Sequence, residues 1–158
     1  MSDIPQILDS LQLAPAVLAG LVRGIPAARL RERRGEGFWT IDEHLFHLAK
    51  LQPVLFDRFR RVLDEENPEF PLPPSGPRQP AEPILTPEES LAFFAEHRGR
   101  QLDLLRGLAP ADWKRAAHRG DFDDFGLHTM VRHALLHDHW HMYRMEELWL
   151  VRDGFVSA

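Results

Sequence analysis

The chain of 158 residues contains no cysteine, which excludes disulfides, thiolate metal ligands and a cysteine nucleophile together. Lysine occurs twice, so seventeen of the nineteen basic residues are arginine, a bias that coding preference explains as well as function does. No run of apolar residues approaches the roughly 20 that span a bilayer. Met1-Ser2-Asp3-Ile4-Pro5 carries neither the basic nor the apolar stretch of a secretory leader. The expectation is a cytoplasmic protein with no membrane partner. A net charge of -5 runs against a nucleic-acid partner, because binding phosphate needs a concentrated basic surface. Arg29, Arg31, Arg33 and Arg34 are a local exception, interrupted by Leu30 and Glu32. They are expected to form a solvated turn, with an anion site as the alternative.

Motifs of several reaction classes are also missing. No Glu-x-x-His occurs, which disfavours the di-iron carboxylate bundles, and no His-Glu-x-x-His, which excludes zincin proteolysis. Gly35-Glu36-Gly37 lacks the third glycine and the strand context of a dinucleotide loop. There is no Gly-x-Ser-x-Gly elbow for a serine hydrolase. Sustained period-two alternation, the mark of a half-buried strand, is nearly absent.

Helical periodicity, by contrast, is plain in four places. The first segment runs from about Ile4 to Val22 with Ile7, Leu11, Ala14 and Leu18 on one face; Pro15 lies inside it, and Gly24 and Pro26 end it. The second opens at Trp39-Thr40, where Thr40 and Glu43 have the spacing of a capping box, and continues to about Glu65 with a bend expected at Pro53. From Glu66 to Leu85 come Pro68, Pro71, Pro73, Pro74, Pro77, Pro80 and Pro83, which predict an extended connector. Thr86-Pro87-Glu88-Glu89 starts the third helix, with Leu91, Phe94, Ala95, Leu102 and Leu105 as its apolar face and an end near Gly107. A connector from Leu108 to Gly126 leads to the fourth helix, about Leu127 to Val151.

Four amphipathic helices predict a single all-α domain spanning residues 1–158, a four-helix bundle. Some twenty extended residues at ~3.1 Å each reach the length of a whole helix at ~1.5 Å per residue. A tight hairpin needs no such reach, so helices two and three are expected to run parallel, joined by a proline-rich crossover.

The chemistry concentrates in histidine. His137 and His141 lie four apart on the fourth helix, within the stripe of Leu127, Met130, Ala134, Met145 and Leu148. Buried imidazoles need partners for both ring nitrogens, and a metal ion supplies one. The second helix offers His44 and His47, the former nearer the centre of its apolar stripe. Two imidazoles from the fourth helix and one from the second would leave an open coordination position, as in a catalytic zinc-type site. Imidazole suits zinc, nickel, copper or iron(II), with zinc or nickel foremost. Asp138 also falls on the buried face, where it either orients an imidazole or pairs with an arginine. Arg144 either holds an anionic substrate group or snorkels to solvent. His139 is expected at the surface and His133 at the stripe's margin. His97, His118 and His128 are read as ordinary exposed histidines, and Trp39, Trp113, Trp140 and Trp149 as packing residues.

The stretch from Trp39 through His44-Leu45-Phe46-His47-Leu48-Ala49 resembles the helix-two signature of the DinB/YfiT-like bundle superfamily, in which a tryptophan precedes a metal-binding histidine by eight residues. His137-Asp138-His139-Trp140-His141 is similar to its helix-four signature, and the order of parts agrees over nearly the whole chain. The resemblance implies a metal held by His47, His137 and His141, an up-down-down-up bundle and a homodimer. Relatives in that superfamily include transferases and isomerases that use low-molecular-weight thiols such as bacillithiol and mycothiol. By analogy the expected function is a metal-dependent enzyme that activates a thiol, or water, against a small-molecule substrate. The alternative is a metal-binding stress-response or dimeric interaction protein without turnover.

Overall fold

Helix boundaries follow the capping residues closely. The computed structural model describes residues 3–72 and 83–157. Its elements are α1 (Ile4–Gly24), the short α2 (Ala27–Leu30), α3 (Ile41–Asp64), α4 (Pro87–Arg106), a 3-10 turn (Asp112–Lys114), β1 (Ala116–Ala117), β2 (Phe125–Gly126) and α5 (Leu127–Leu150). Thr40 and Glu43 cap α3 reciprocally: the Glu43 amide donates to Thr40 Oγ1 at 3.2 Å and the Thr40 amide to Glu43 Oε2 at 2.7 Å. Thr86 and Glu89 repeat the device at α4, with Pro87 at the first helical position. Pro15 and Pro53 each remove one backbone donor, yet α1 and α3 continue through them.

The four long helices among the described residues form a bundle in which α3 and α1 each pack against both α4 and α5. Two apolar clusters fill it. One gathers Ile7 and Leu11 early in α1, Phe59 and Val62 late in α3, Leu102 and Leu105 late in α4, and Leu127 and Met130 early in α5. The other joins Leu18 and Val22 of α1, Ile41 and Leu45 of α3, Phe94 of α4, and Met145 and Leu148 of α5. Late α3 thus meets late α4, so these helices run parallel to each other and antiparallel to α1 and α5. Most of the proline-rich crossover expected between α3 and α4, residues 73–82, lies outside the described residues.

Four expectations need correction. Strands exist: Ala116 and Ala117 pair antiparallel with Gly126 and Phe125, too short a stretch to show alternation. Gly126 is required there, because a Cβ would sit 2.7 Å from the Arg115 carbonyl oxygen. The arginine turn is not simply solvated. The Arg34 side chain is 4% exposed and donates to the carbonyls of Leu148 and Val151, while Arg29 reaches that of Trp149. These arginines satisfy the C-terminal carbonyls of α5, which has no basic residue in its own last turn. Ala95 is exposed, not part of the apolar face of α4. Finally, α1 is by length and composition apolar enough to cross a bilayer. Gln6, Asp9, Ser10 and Gln12 break its apolar run without lowering its mean hydropathy below that of a span, and its Ile7, Leu11, Ala14, Leu18 and Val22 face is buried in the bundle.

The α3 cap bears directly on the histidines, since the His44 amide donates to the Thr40 carbonyl at 3.1 Å. Thr40→Ala is expected to cost about 1 kcal/mol. Denaturant titration should show a lower midpoint at unchanged slope; an unchanged midpoint would mean that the cap contributes nothing.

Candidate metal centre

α3 and α5 pack side by side, and their facing edges bring three imidazoles to one point. His137 Nε2 lies 3.3 Å from His47 Nε2 and 3.2 Å from His141 Nε2. One ligand atom from each of the three histidines falls within 4.8 Å of the others, forming a group that could hold a metal ion. A tetrahedral ion with metal–nitrogen bonds of about 2.0–2.1 Å separates its ligand nitrogens by about 3.3–3.4 Å, which is close to the spacing seen. Protons serve the cluster poorly by comparison. If His137 Nε2 carries its hydrogen it can point at one neighbour only, and if it does not, its single lone pair must serve both neighbours at once.

The second histidine of α3 has a different task. His44 is 3% exposed and its Nδ1 lies 2.7 Å from His141 Nδ1. Burial, with Arg144 and His47 nearby, pushes its imidazole down to about 3, so it is neutral. If His141 offers Nε2 to a cation, its Nδ1 keeps the ring proton and donates it to His44. His44 thereby fixes both the tautomer and the ring angle of His141. This explains why the more buried histidine of the pair, the one nearer the stripe's centre, is outside the group of three. His47 and His137 lie at the half-buried edge where the two helices meet.

Aromatic rings border the cluster more closely than packing alone suggested from the sequence. The Trp39 ring lies 5.2 Å from those of His44 and His47 and 5.9 Å from that of His141. Trp140 is 55% exposed and meets His141 edge-on at 4.8 Å. Trp39 stands eight residues before His47 in the helix-two signature, and Trp140 lies within the helix-four stretch, but neither position by itself shows that the rings border the histidines.

The remaining candidates separate cleanly. Asp138 pairs with Arg98 of α4, not with an imidazole, and both side chains are at most 1% exposed. Burial pushes its carboxyl up to about 6 against the pull of Arg98 and the Gln52 amide, and lowers Arg98 in turn. Arg144 is buried and engages Glu147 and the Ser157 carbonyl, so it neither snorkels nor faces outward as an anion receptor. His139, His133 and His118 are exposed. His97 and His128, both expected to be exposed, are both half-buried, His97 with its ring tilted against that of Phe93 at 4.2 Å and His128 bonded to Asp3 at 2.9 Å. A groove of about 490 Å³ runs along α1, α2 and α4, but no residue of α3 or α5 lines it, so it is not the mouth of the histidine cluster.

Replacing His44 with alanine is expected to weaken metal binding about 10–100-fold while leaving one ion per chain at saturation. Chelator competition measures this, and undiminished affinity would remove the orienting role.

Comparison with known proteins identifies the family and the fold. Residues 10–150 match the DinB superfamily. The chain is 28% identical over 146 residues to the Bacillus subtilis (strain 168) protein described as "Putative metal-dependent hydrolase YfiT", covering 89% of this chain and 81% of that protein. The solved structure of YfiT from Bacillus subtilis, described as having "an unusual four-helix bundle topology", superposes with a TM-score of 0.80 at 25% identity, over 94% of this chain and 86% of that one. With a family match spanning the first helix to the last, and the same bundle in the relative, the chain belongs to the DinB superfamily.

Proposed function

We propose that this chain is a metal-dependent hydrolase in which His47, His137 and His141 hold one divalent cation, with water as the nucleophile and a small molecule as substrate. The observation carrying the reading is the pair of Nε2–Nε2 distances at His137, 3.3 and 3.2 Å, which suit one tetrahedral ion better than a single ring nitrogen serving two hydrogen bonds. The relative described as a metal-dependent hydrolase supports the reaction class. An ion bound there supplies Lewis acidity, which polarises a carbonyl or phosphoryl oxygen and makes water a nucleophile at neutral pH.

The protein's own part is positional. Three neutral imidazoles leave the ion its full charge, so its acidity is not muted by a carboxylate ligand. His44 keeps the His141 ring turned toward the cluster. Trp39 covers one side with apolar surface and lowers the local dielectric, which strengthens every charge interaction in the site. Water is preferred here to the thiol nucleophile that the resemblance implies because the relative is described as a "Putative metal-dependent hydrolase". A fourth protein ligand closing the site would favour the non-catalytic alternative, and among the described residues the group contains three.

Elemental analysis should find one divalent ion per chain, falling well below one per chain in His47→Ala, His137→Ala and His141→Ala. Hydrolysis of activated ester and amide substrates should vanish on chelation and return on adding metal. Full occupancy in His47→Ala would overturn the ligand set, and metal binding without turnover in such a screen would favour the non-catalytic reading.

A further inference from the structure

A polar layer separates the two apolar clusters of the bundle. Gln52 of α3, Arg98 and Gln101 of α4 and Asp138 of α5 are each at most 1% exposed. The bonds that cross the layer start on α4. Arg98 Nη2 donates to Asp138 Oδ2, and Gln101 Nε2 donates to the Gln52 carbonyl at 2.8 Å and to Gln52 Oε1 at 3.1 Å. α4 carries none of the three clustered histidines, whereas the two helices it grips carry all of them. Asp138 lies between His137 and His141 in sequence, and Gln52 lies five residues beyond His47.

We propose that Arg98 and Gln101 are positioning residues for the histidine cluster: α4 holds α3 and α5 in the rotation at which His47 meets His137 and His141. The inference rests on the reading of the cluster as a metal site.

Stability alone does not account for the layer. A buried ion pair recovers little beyond its desolvation cost, and apolar side chains of similar volume in its place are often neutral or stabilising. Here the cost is raised further, because Arg98 Nε and Nη1 and Gln101 Oε1 have no hydrogen-bond partner among the described residues. What directional bonds provide and apolar packing does not is a fixed rotation of each helix about its axis. The lever arm makes that rotation matter. A helix about 10–12 Å across carries its side-chain tips about 5–6 Å from the axis, so a turn of about 20° moves them by about 2 Å. That displacement equals a whole metal–nitrogen bond, far outside the roughly 0.5 Å tolerance of a preorganised site. The layer sits next to the cluster along both helices, where such a constraint transmits most directly.

Cobalt(II) is a suitable probe, since its visible absorption reports ligand number and geometry as well as occupancy. Arg98→Met combined with Asp138→Leu removes both charges together. The metal-free double variant is expected to melt at or above the parent temperature, to bind cobalt at least about tenfold more weakly, and to show an altered visible spectrum. Ile7→Val, in the distant apolar cluster, should lower the melting temperature and leave cobalt affinity and spectrum unchanged, which separates positioning from general destabilisation. A double variant with parental affinity and spectrum overturns the proposal. If that variant does not fold, Gln101→Leu is judged by the same two readouts, weakened binding supporting the proposal and parental binding overturning it. A parent chain that binds no cobalt overturns the metal-site reading and this inference together, whereas a binding parent with equally binding variants overturns the positioning role alone.

Discussion

Three imidazoles that face one another across two helices are the constraint on which the proposed reading depends: Nε2 of His137 lies 3.3 Å from that of His47 and 3.2 Å from that of His141, and a shared cation would satisfy all three. Two helices must be held edge to edge, with ring nitrogens of His47, His137 and His141 within a few ångströms. His44 must stay neutral so that it can accept from His141, and its burial ensures that it does. A cation bound there would require all three rings to be deprotonated at the ligating nitrogen, so its binding would compete with protons and weaken in acid. Folding and metal affinity are thereby linked: an ion that binds only the folded chain stabilises it in proportion to the logarithm of its concentration above Kd.

On the proposed reading, a site built on two helices depends on a third. Apolar burial drives the four helices together without specifying their rotation. The polar layer on α4 supplies directional bonds to both ligand-bearing helices at the point where the two apolar clusters part. The arginines of the α1–α3 connection act at another level. Arg34 and Arg29 close the carbonyl end of α5, and Arg33 pairs with Glu43 at the start of α3, joining the ends of the same two helices. A sequence feature that resembled an anion site is spent on holding secondary structure in place.

Most of the fold was legible because its punctuation is local. Thr40–Glu43 and Thr86–Pro87–Glu89 mark helix starts by side-chain chemistry, and Gly24–Pro26 and Gly107 mark ends, so the boundaries of all four long helices fall within about two residues of those expected. The histidine trio was legible from spacing on α5 together with the family resemblance; helical angle alone favoured His44, because angle measures depth in the core and the cluster lies at an edge. What escaped was tertiary. The β1–β2 pairing involves two residues a side and leaves no periodic trace. Arg98 did leave one: it falls between Phe94 and Leu102 on one helical face, as Gln52 does between Leu48 and Leu55. A charged residue on an apolar stripe needs a partner from another helix, and sequence spacing within a helix cannot say which.

The shared cation is the point on which the account stands. X-ray absorption at the metal edge of the zinc-loaded protein tests it most directly. The account predicts three imidazole nitrogens at about 2.0–2.1 Å with one oxygen neighbour in the remaining position. A spectrum with at most one imidazole, or with oxygen neighbours alone, would contradict it.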